Sequence, residues 1–406
     1  MGSSGINAGL NQRTTHYCEA AACLELGEGF FRPDSRPSRD LSVLLVLHQV
    51  QQPRFQDHPI QLLDLMSGCG IRALRWALEA GLDRSAEKQR PPALLWANDA
   101  DPDRAPLLQR NLAPLQTMGI NLQLHHQRAT RLLARALIER RCFDLIDLDA
   151  FGSPNALLQP ALQVMAFDGV LCLASSDGRG PTGHDRCSGI RSLGAAARAH
   201  PASWELALRL QLGVLARQAW MLGRGIQPLF SFSDGRTFRL AVRIKRTPRP
   251  EEETLLGLLA RCQACGAQSI QPLINLQGWP ACCCAAGLGR WAISGPLWLG
   301  QLQAQDFLAE MLLLAAETSE SVSPVSRRLL QRLQADPGLP VCCWSSAELA
   351  SRLALAETPP LKGLVEALRT AGHKAFRSAV MPGQLRTDAT LEQLFEQCRA
   401  LHKHGS

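Results

Sequence analysis

The chain has 406 residues, 46% of them hydrophobic and 19% charged, and a formal net charge of +7. That length accommodates two domains, and no apolar run reaches the roughly 20 residues that a membrane helix needs, so no membrane partner is expected. The mild basic balance suits a polyanion such as RNA without requiring one, while 5% aromatics and a single Tyr argue against an aromatic-rich single-strand binding surface.

The first twenty residues lack an apolar h-region, and the fourteen cysteines follow no regular framework. Cys69, Cys142 and Cys172 lie in apolar contexts. Reduced thiols in the cytoplasm are therefore expected. Residues before Cys18 give no periodic signal, and Gly27-Glu28-Gly29 reads as a turn. An apolar helix is expected over Val43–Val50, with Asp40 or Ser38 as its cap.

Gln61 to Gly81 is the organising stretch, Q-L-L-D-L-M-S-G-C-G-I-R-A-L-R-W-A-L-E-A-G. Leu62–Met66 is a short apolar run containing Asp64. Ser67, Gly68, Cys69 and Gly70 form a small-residue turn, and helical spacing begins at Ile71. Strand, glycine turn and helix together read as the first βα unit of a nucleotide-type α/β domain. The glycines allow close backbone approach, and the N–H groups opening the helix suit an anionic group.

A polar loop follows over Asp83–Pro92. Strands are expected at Ala93–Ala97, Leu122–His125, Cys142–Asp149 and Gly169–Ala174, with helices at Asp103–Leu115, Thr130–Arg140, Asn155–Met165 and Trp204–Leu222. Two strand-like runs, Gln227–Phe232 and Thr237–Ile244, flank Ser233-Asp234-Gly235 and read as a hairpin. The expected sheet is parallel except for one strand near its end. The proline- and charge-rich segment from Lys245 to Glu253 places a boundary between residues 1–246 and 247–406.

Asp99, Asp149 and Asp177 fall at or beside strand ends, where open parallel sheets bind ligands. Asp99 stands where such domains hold ribose hydroxyls; capping the next helix is the bland alternative. Asp149-Ala150-Phe151-Gly152-Ser153-Pro154 combines an acid, an aromatic ring and turn formers. A carboxylate can orient an exocyclic amine whose lone pair is delocalised into a purine, while a ring stacks on the base. A strand-end cap and a core Phe are the alternative.

Several blocks in this order resemble the tRNA guanine-26 N2-dimethyltransferase family, over Phe30 to Phe395. They are F-F-R-P with S-R-D-L-S-V, D-L-M-S-G-C-G-I-R-A-L-R, Asn98-Asp99, D-L-I-D-L-D-A-F-G-S-P, G-R-G-I-Q-P-L-F-S-F-S, G-P-L-W-L-G and P-G-Q-L-R-T-D-A. The resemblance implies a Rossmann-like class I methyltransferase domain and a smaller α+β C-terminal domain that binds tRNA. It implies transfer of methyl groups from S-adenosylmethionine (SAM) to N2 of a guanine. Arg39, Asp64, Gly68, Gly70, Arg72, Asp99, Arg128 and Ala129 would surround SAM. Asp149 would be the catalytic carboxylate, with Phe151 beside the guanine. Ala150 replaces the family's usual proline, Arg128 stands where an acid is common, and the loop after Asp177 departs from the usual sequence. Glu205, on the following helix, is read as structural. An amino-methyltransferase of another nucleic-acid base and a non-catalytic tRNA-binding protein are the competing readings.

Cys262-x2-Cys265 and Cys282-Cys283-Cys284 have the composition of a four-thiolate structural zinc site, with Cys262, Cys265, Cys282 and Cys284 as ligands. The second pair is one residue too close, with Ala285 where a mate would stand, so buried free thiols are the alternative. Arg327, Arg328, Arg332, Lys362, Arg369, Lys374, Arg377 and Arg386 spread positive charge over the C-terminal part. They could meet tRNA phosphates or form an ordinary solvated face. A monomer is compatible with all of this.

Overall fold

The computed structural model describes residues 15–83, 91–282, 284 and 290–405. Cys283, Ala285 and most of the Asp83–Pro92 loop lie outside them. An N-terminal hairpin, β1 (His16–Glu19) and β2 (Ala22–Glu25), precedes α1 (Arg36–Val50), the short α2 (Arg54–Asp57), β3 (Gln61–Asp64) and α3 (Ile71–Glu79). Then come β4 (Leu94–Asn98), α4 (Ala105–Leu112), β5 (Asn121–His125), α5 (Ala129–Ile138), β6 (Phe143–Ala150), α6 (Asn155–Gln163) and β7 (Met165–Ser175). After α7 (Arg186–Leu193) and α8 (Ser203–Met221), the sheet closes with β8 (Gly225–Ser233) and β9 (Phe238–Lys245).

These seven strands form one sheet in the order β5-β4-β3-β6-β7-β9-β8. β5, β4, β3, β6 and β7 pair in parallel, and β9 runs antiparallel to both β7 and β8. The expected parallel sheet with one reversed strand is therefore present. Both faces are covered, so the strands are near-continuously apolar rather than alternating. Leu62, Leu95, Leu145 and Ala241 face the layer holding α1 and α3, whereas Leu63, Trp96, Ile146 and Val242 face the layer holding α8. Strand order reverses between β3 and β6, so a crevice opens where Asp64 and Asp149 emerge.

The remaining chain builds two three-stranded sheets. One contains β10 (Leu256–Cys262), β11 (Gln268–Pro272) and β12 (Trp291–Trp298); the other contains β13 (Cys343–Ser345), β14 (Ala375–Arg377) and β15 (Gln384–Thr387). Helices α9 (Gln305–Glu317), α10 (Pro324–Gln334), α11 (Ser346–Arg352), α12 (Leu361–Thr370) and α13 (Leu391–Gly405) accompany them. α9 and α10 pack on α1, and their Phe307, Met311 and Leu330 join the apolar layer beneath the large sheet.

Four details correct the sequence reading. α1 begins at Arg36, and Ser38 and Asp40 are buried inside it instead of capping it. Asp40 accepts from Arg75 (2.6 Å) and from the Ser326 hydroxyl (2.7 Å), tying α1 to α3 and α10. Cys18 and Cys23, facing each other across the β1–β2 hairpin, form a disulfide where reduced thiols were expected. Cys142 is exposed, unlike the buried Cys69 and Cys172. Arg386 is fully buried, so it faces no phosphate; Arg328, Lys362, Arg369, Lys374 and Arg377 are exposed.

Candidate active site

The glycine turn does what its sequence predicts. Gly70 has φ +84°, and a Cβ there would lie 2.9 Å from the Leu108 side chain. Gly68, at φ +56°, opens onto free space, so ligand atoms can approach its backbone closely. The Gly68 N–H donates to Asp99 Oδ2 (2.8 Å), and the Asp101 N–H donates to Asp99 Oδ1 (3.0 Å). The helix cap is Asp101, which accepts from the Asp103 N–H. Asp99 thus sits half-buried between the turn and the end of β4.

Asn98 holds the neighbouring strand ends. Its Nδ2 donates to Leu65 O and Gln127 O, and its Oδ1 accepts from the Gln127 N–H, each at 3.0 Å. Arg128, exposed, and Ala129, half-buried, follow directly at the start of α5.

Asp64 is 2% exposed, and its Oδ2 has no partner. Burial pushes its carboxyl up to about 7, with Arg72 opposing the shift. The period of two along β6 puts Asp147 and Asp149 on the same face, toward α3. There Arg72 Nη1 donates to Asp147 Oδ2 (2.8 Å) and Nη2 to Asp149 Oδ2 (3.0 Å). A second guanidinium arrives from β9, with Arg239 Nη1 3.3 Å from the same Asp149 Oδ2. Burial alone would raise the Asp149 carboxyl, but Arg239 and Arg72 outweigh it and hold the group below the ordinary carboxylate range. Burial pushes Asp147 the other way, upward.

Phe151 is 80% exposed, so it is no core residue. Phe30, 66% exposed, meets it edge to face at 5.2 Å. The turn carrying Phe151 is fixed by Gly152, whose N–H donates to Ser176 Oγ (2.7 Å) and whose carbonyl accepts from Ser175 Oγ (3.1 Å). Asp177 instead caps its own loop, accepting from the Gly180 N–H.

Arg39 is buried, and Glu19 of β1 takes its Nε and Nη2 at 2.8 and 2.6 Å. Arg75 donates to the same Glu19 at 2.7 Å. The hairpin is therefore locked to α1 and α3 through one buried carboxylate. Sequence reasoning missed Glu19, Phe30, Asp147 and Arg239. Arg239 carried a local signal as a cation inside the strand F-R-L-A-V-R-I-K, and Asp147 carried one in its two-residue spacing from Asp149.

Away from the sheet, Cys262, Cys265, Cys282 and Cys284 do converge, their Sγ atoms all within 4.8 Å of one another. Tetrahedral zinc with bonds of about 2.3 Å needs sulfurs roughly 3.8 Å apart, so the cluster fits that ion. The irregular C-x-C spacing is absorbed by the loop, not by a loss of convergence.

The family model described as N2,N2-dimethylguanosine tRNA methyltransferase matches residues 13–399. The chain belongs to that family. It is 27% identical over 379 residues to the tRNA (guanine(26)-N(2))-dimethyltransferase of Pyrococcus abyssi, covering 89% of this chain and 90% of the relative. The enzyme of the same name from Methanocorpusculum labreanum is 27% identical over 405 residues, covering 98% and 96%. Trm1 from Pyrococcus horikoshii, solved with S-adenosyl-L-methionine, superposes with a TM-score of 0.77 at 24% identity, covering 94% of this chain and 99% of that one. The family fold thus accounts for the dimethyltransferase sheet and the C-terminal part together.

Proposed function

We propose that the protein transfers methyl groups from SAM to the exocyclic N2 of guanine 26 in tRNA, giving N2-methyl- and N2,N2-dimethylguanosine. The carrying observation is Asp149, whose Oδ2 is held by Arg72 and Arg239 while Oδ1 has no partner among the described residues. SAM, when bound, supplies an electrophilic methyl group. The residues present fit it. The orphaned, buried Oδ2 of Asp64 suits an ammonium group, Asp99 suits ribose hydroxyls, and Gly68 and Gly70 leave room for close approach. Arg39, Arg72, Arg128 and Ala129 complete that side, Arg39 and Arg72 keeping their protein carboxylates.

On the substrate side, the exposed Phe151 and Phe30 rings receive a base turned out of its helix. Asp149 Oδ1 accepts a hydrogen bond from the N2 amine and aims its lone pair. Held ionised by two arginines, Asp149 is a weak base and acts first as an orienting acceptor. Once N2 is alkylated it becomes cationic and acidic, and the same oxygen can take its proton. In this proposal the methyltransferase domain is residues 1–246, the tRNA-binding domain is residues 247–406, and the protein acts in the cytoplasm. Among the described residues no helix is long and apolar enough to cross a membrane.

The test is nucleoside mass spectrometry of unmodified tRNA incubated with SAM and either wild type or Asp149→Ala. Wild type is expected to convert guanosine 26, and the variant to lose roughly 100-fold or more in rate. Equal methylation by both would remove Asp149 from its role.

A further inference from the structure

The end of the sheet opposite Asp149 carries a second polar cleft of about 790 Å3, lined by His48, Arg54, Asp168, Gln227, Arg243 and Glu310 among others. β9 links the two ends. Arg239 and Arg243 lie on one face of this strand, about 13 Å apart along it. Arg239 reaches Asp149, whereas Arg243 faces the cleft. The Arg243 guanidinium lies 5.5 Å from the Phe307 ring centroid and makes no hydrogen bond or ion pair among the described residues. Burial lowers its pKa, and the nearby Asp168 and Glu310 carboxylates oppose that shift without pairing with it.

A cationic stack adjoins the cleft. Phe167, 44% exposed, lies 5.1 Å from the Arg224 guanidinium and 5.3 Å from that of Arg246. Arg54 Nη1 donates to the Phe167 carbonyl (3.1 Å). Of the acids at this cleft, Asp306 pairs with no cation among the described residues, and the others have neighbours of their own. Asp168 pairs with Lys245, Asp144 lies 3.5 Å from Arg54, and Glu310 pairs with His48 at 2.9 Å. Among the described residues no carboxylate lies within ion-pair distance of Arg224, Arg243 or Arg246. Guanidiniums fixed by rings, with donors left over, match the forked geometry of phosphate oxygens.

We propose that this edge of the sheet is a second seat for the substrate tRNA, with Arg243 and Arg246 contacting backbone phosphates. The proposal rests on the tRNA reading of the catalytic site. Phe143, which pairs with Met165 at this end, lies six residues before Asp149 on β6, so the seat is about 20 Å from the base pocket. One tRNA can span that distance while its target base occupies the mouth. Contacts of this kind carry no sequence information; they add affinity and fix orientation.

The test uses the full chain and an end-labelled, unmethylated tRNA transcript, with binding followed by anisotropy between 50 and 200 mM KCl. Arg243→Gln with Arg246→Gln is expected to weaken binding about tenfold at 150 mM and to reduce the log–log salt slope by about 1 to 2. SAM affinity and kcat at saturating tRNA stay unchanged while KM for tRNA rises. Arg246→Lys keeps most of the affinity. If the double variant melts early, Arg246→Glu alone, on an exposed side chain, carries the test. Unchanged affinity and slope overturn the proposal, as does a fall in kcat or SAM affinity at unchanged tRNA binding. A wild type that binds no tRNA overturns the catalytic reading as well; a wild type that binds, with variants that bind equally, overturns this seat alone.

Discussion

Arg386 and Glu205 are 181 residues apart and form a fully buried bidentate pair, Nη1 to Oε1 at 2.7 Å and Nη2 to Oε2 at 2.8 Å. Arg209 adds a third contact to Glu205 (2.8 Å), and Arg386 Nη2 donates to Asp336 Oδ2 (2.9 Å). α8 of the large sheet is thereby bonded to β15 of the C-terminal part. Replacing Arg386 by Ala leaves Asp336 without its cation. A loss of about 3–5 kcal/mol is expected, read as a lower urea midpoint.

The same network sets an acid limit. Burial opposes ionisation of Glu205, but Arg386 and Arg209 prevail and bring it down to about 2. A depressed carboxyl stabilises the fold above its unfolded value, near 4.5, and that contribution is lost as pH falls from there toward 2. Between pH 5 and 3 the melting temperature of wild type should drop more steeply than that of Glu205→Gln. Parallel curves would mean that Glu205 ionises as it does unfolded.

Arg239 controls the ionisation of Asp149. Removing one of the two cations lets burial raise the carboxyl pKa. Arg239→Gln should therefore shift the acid limb of the kcat–pH profile upward, with Arg239→Lys restoring part of it. An unmoved limb with reduced kcat would point to packing alone.

Burial pushes the Asp64 carboxyl up to about 7, so a SAM ammonium seated on it, as proposed, would couple binding to its ionisation. Its raised pKa favours the folded state at low pH, and that contribution is lost as pH rises from about 3.8 to about 7. A bound ammonium reverses the preference. SAM affinity, measured by calorimetry, should increase from pH 5.5 to 7 in wild type and flatten in Asp64→Asn.

Phe30 and Phe151 are exposed, so truncating either should leave the melting temperature within about 1 °C. Stacking on a base is worth roughly 1–3 kcal/mol. Each Ala variant should raise KM for tRNA by roughly 5- to 100-fold. A pair of Ala substitutions with unchanged KM would place the base elsewhere.

The Cys262, Cys265, Cys282 and Cys284 cluster should copurify with about one zinc per chain, measured by elemental analysis. Chelation or Cys265→Ser should lower the melting temperature. Metal-free protein with an unchanged melting curve would leave the cluster as thiols only.

Much of the site was legible in the residues. The S-G-C-G turn, the acids at strand ends and the succession of strands along the chain are local matters, because backbone freedom and a period of two act over a few residues. They placed the Gly68–Gly70 turn before a helix and Asp99 and Asp149 at strand ends, where the structure has them, whereas Asp64, read as lying inside its strand, ends β3. Partner choice was not legible. Arg386 looked like surface charge, since nothing near it in sequence reveals Glu205. Arg239 meets Asp149 only because β9 folds back antiparallel to β7, across 90 residues of chain. The cysteines with poor spacing meet because a loop has freedom that a spacing rule ignores. Ion pairing, burial and the pKa values that follow depend on distances between distant segments, and those were decided by packing alone.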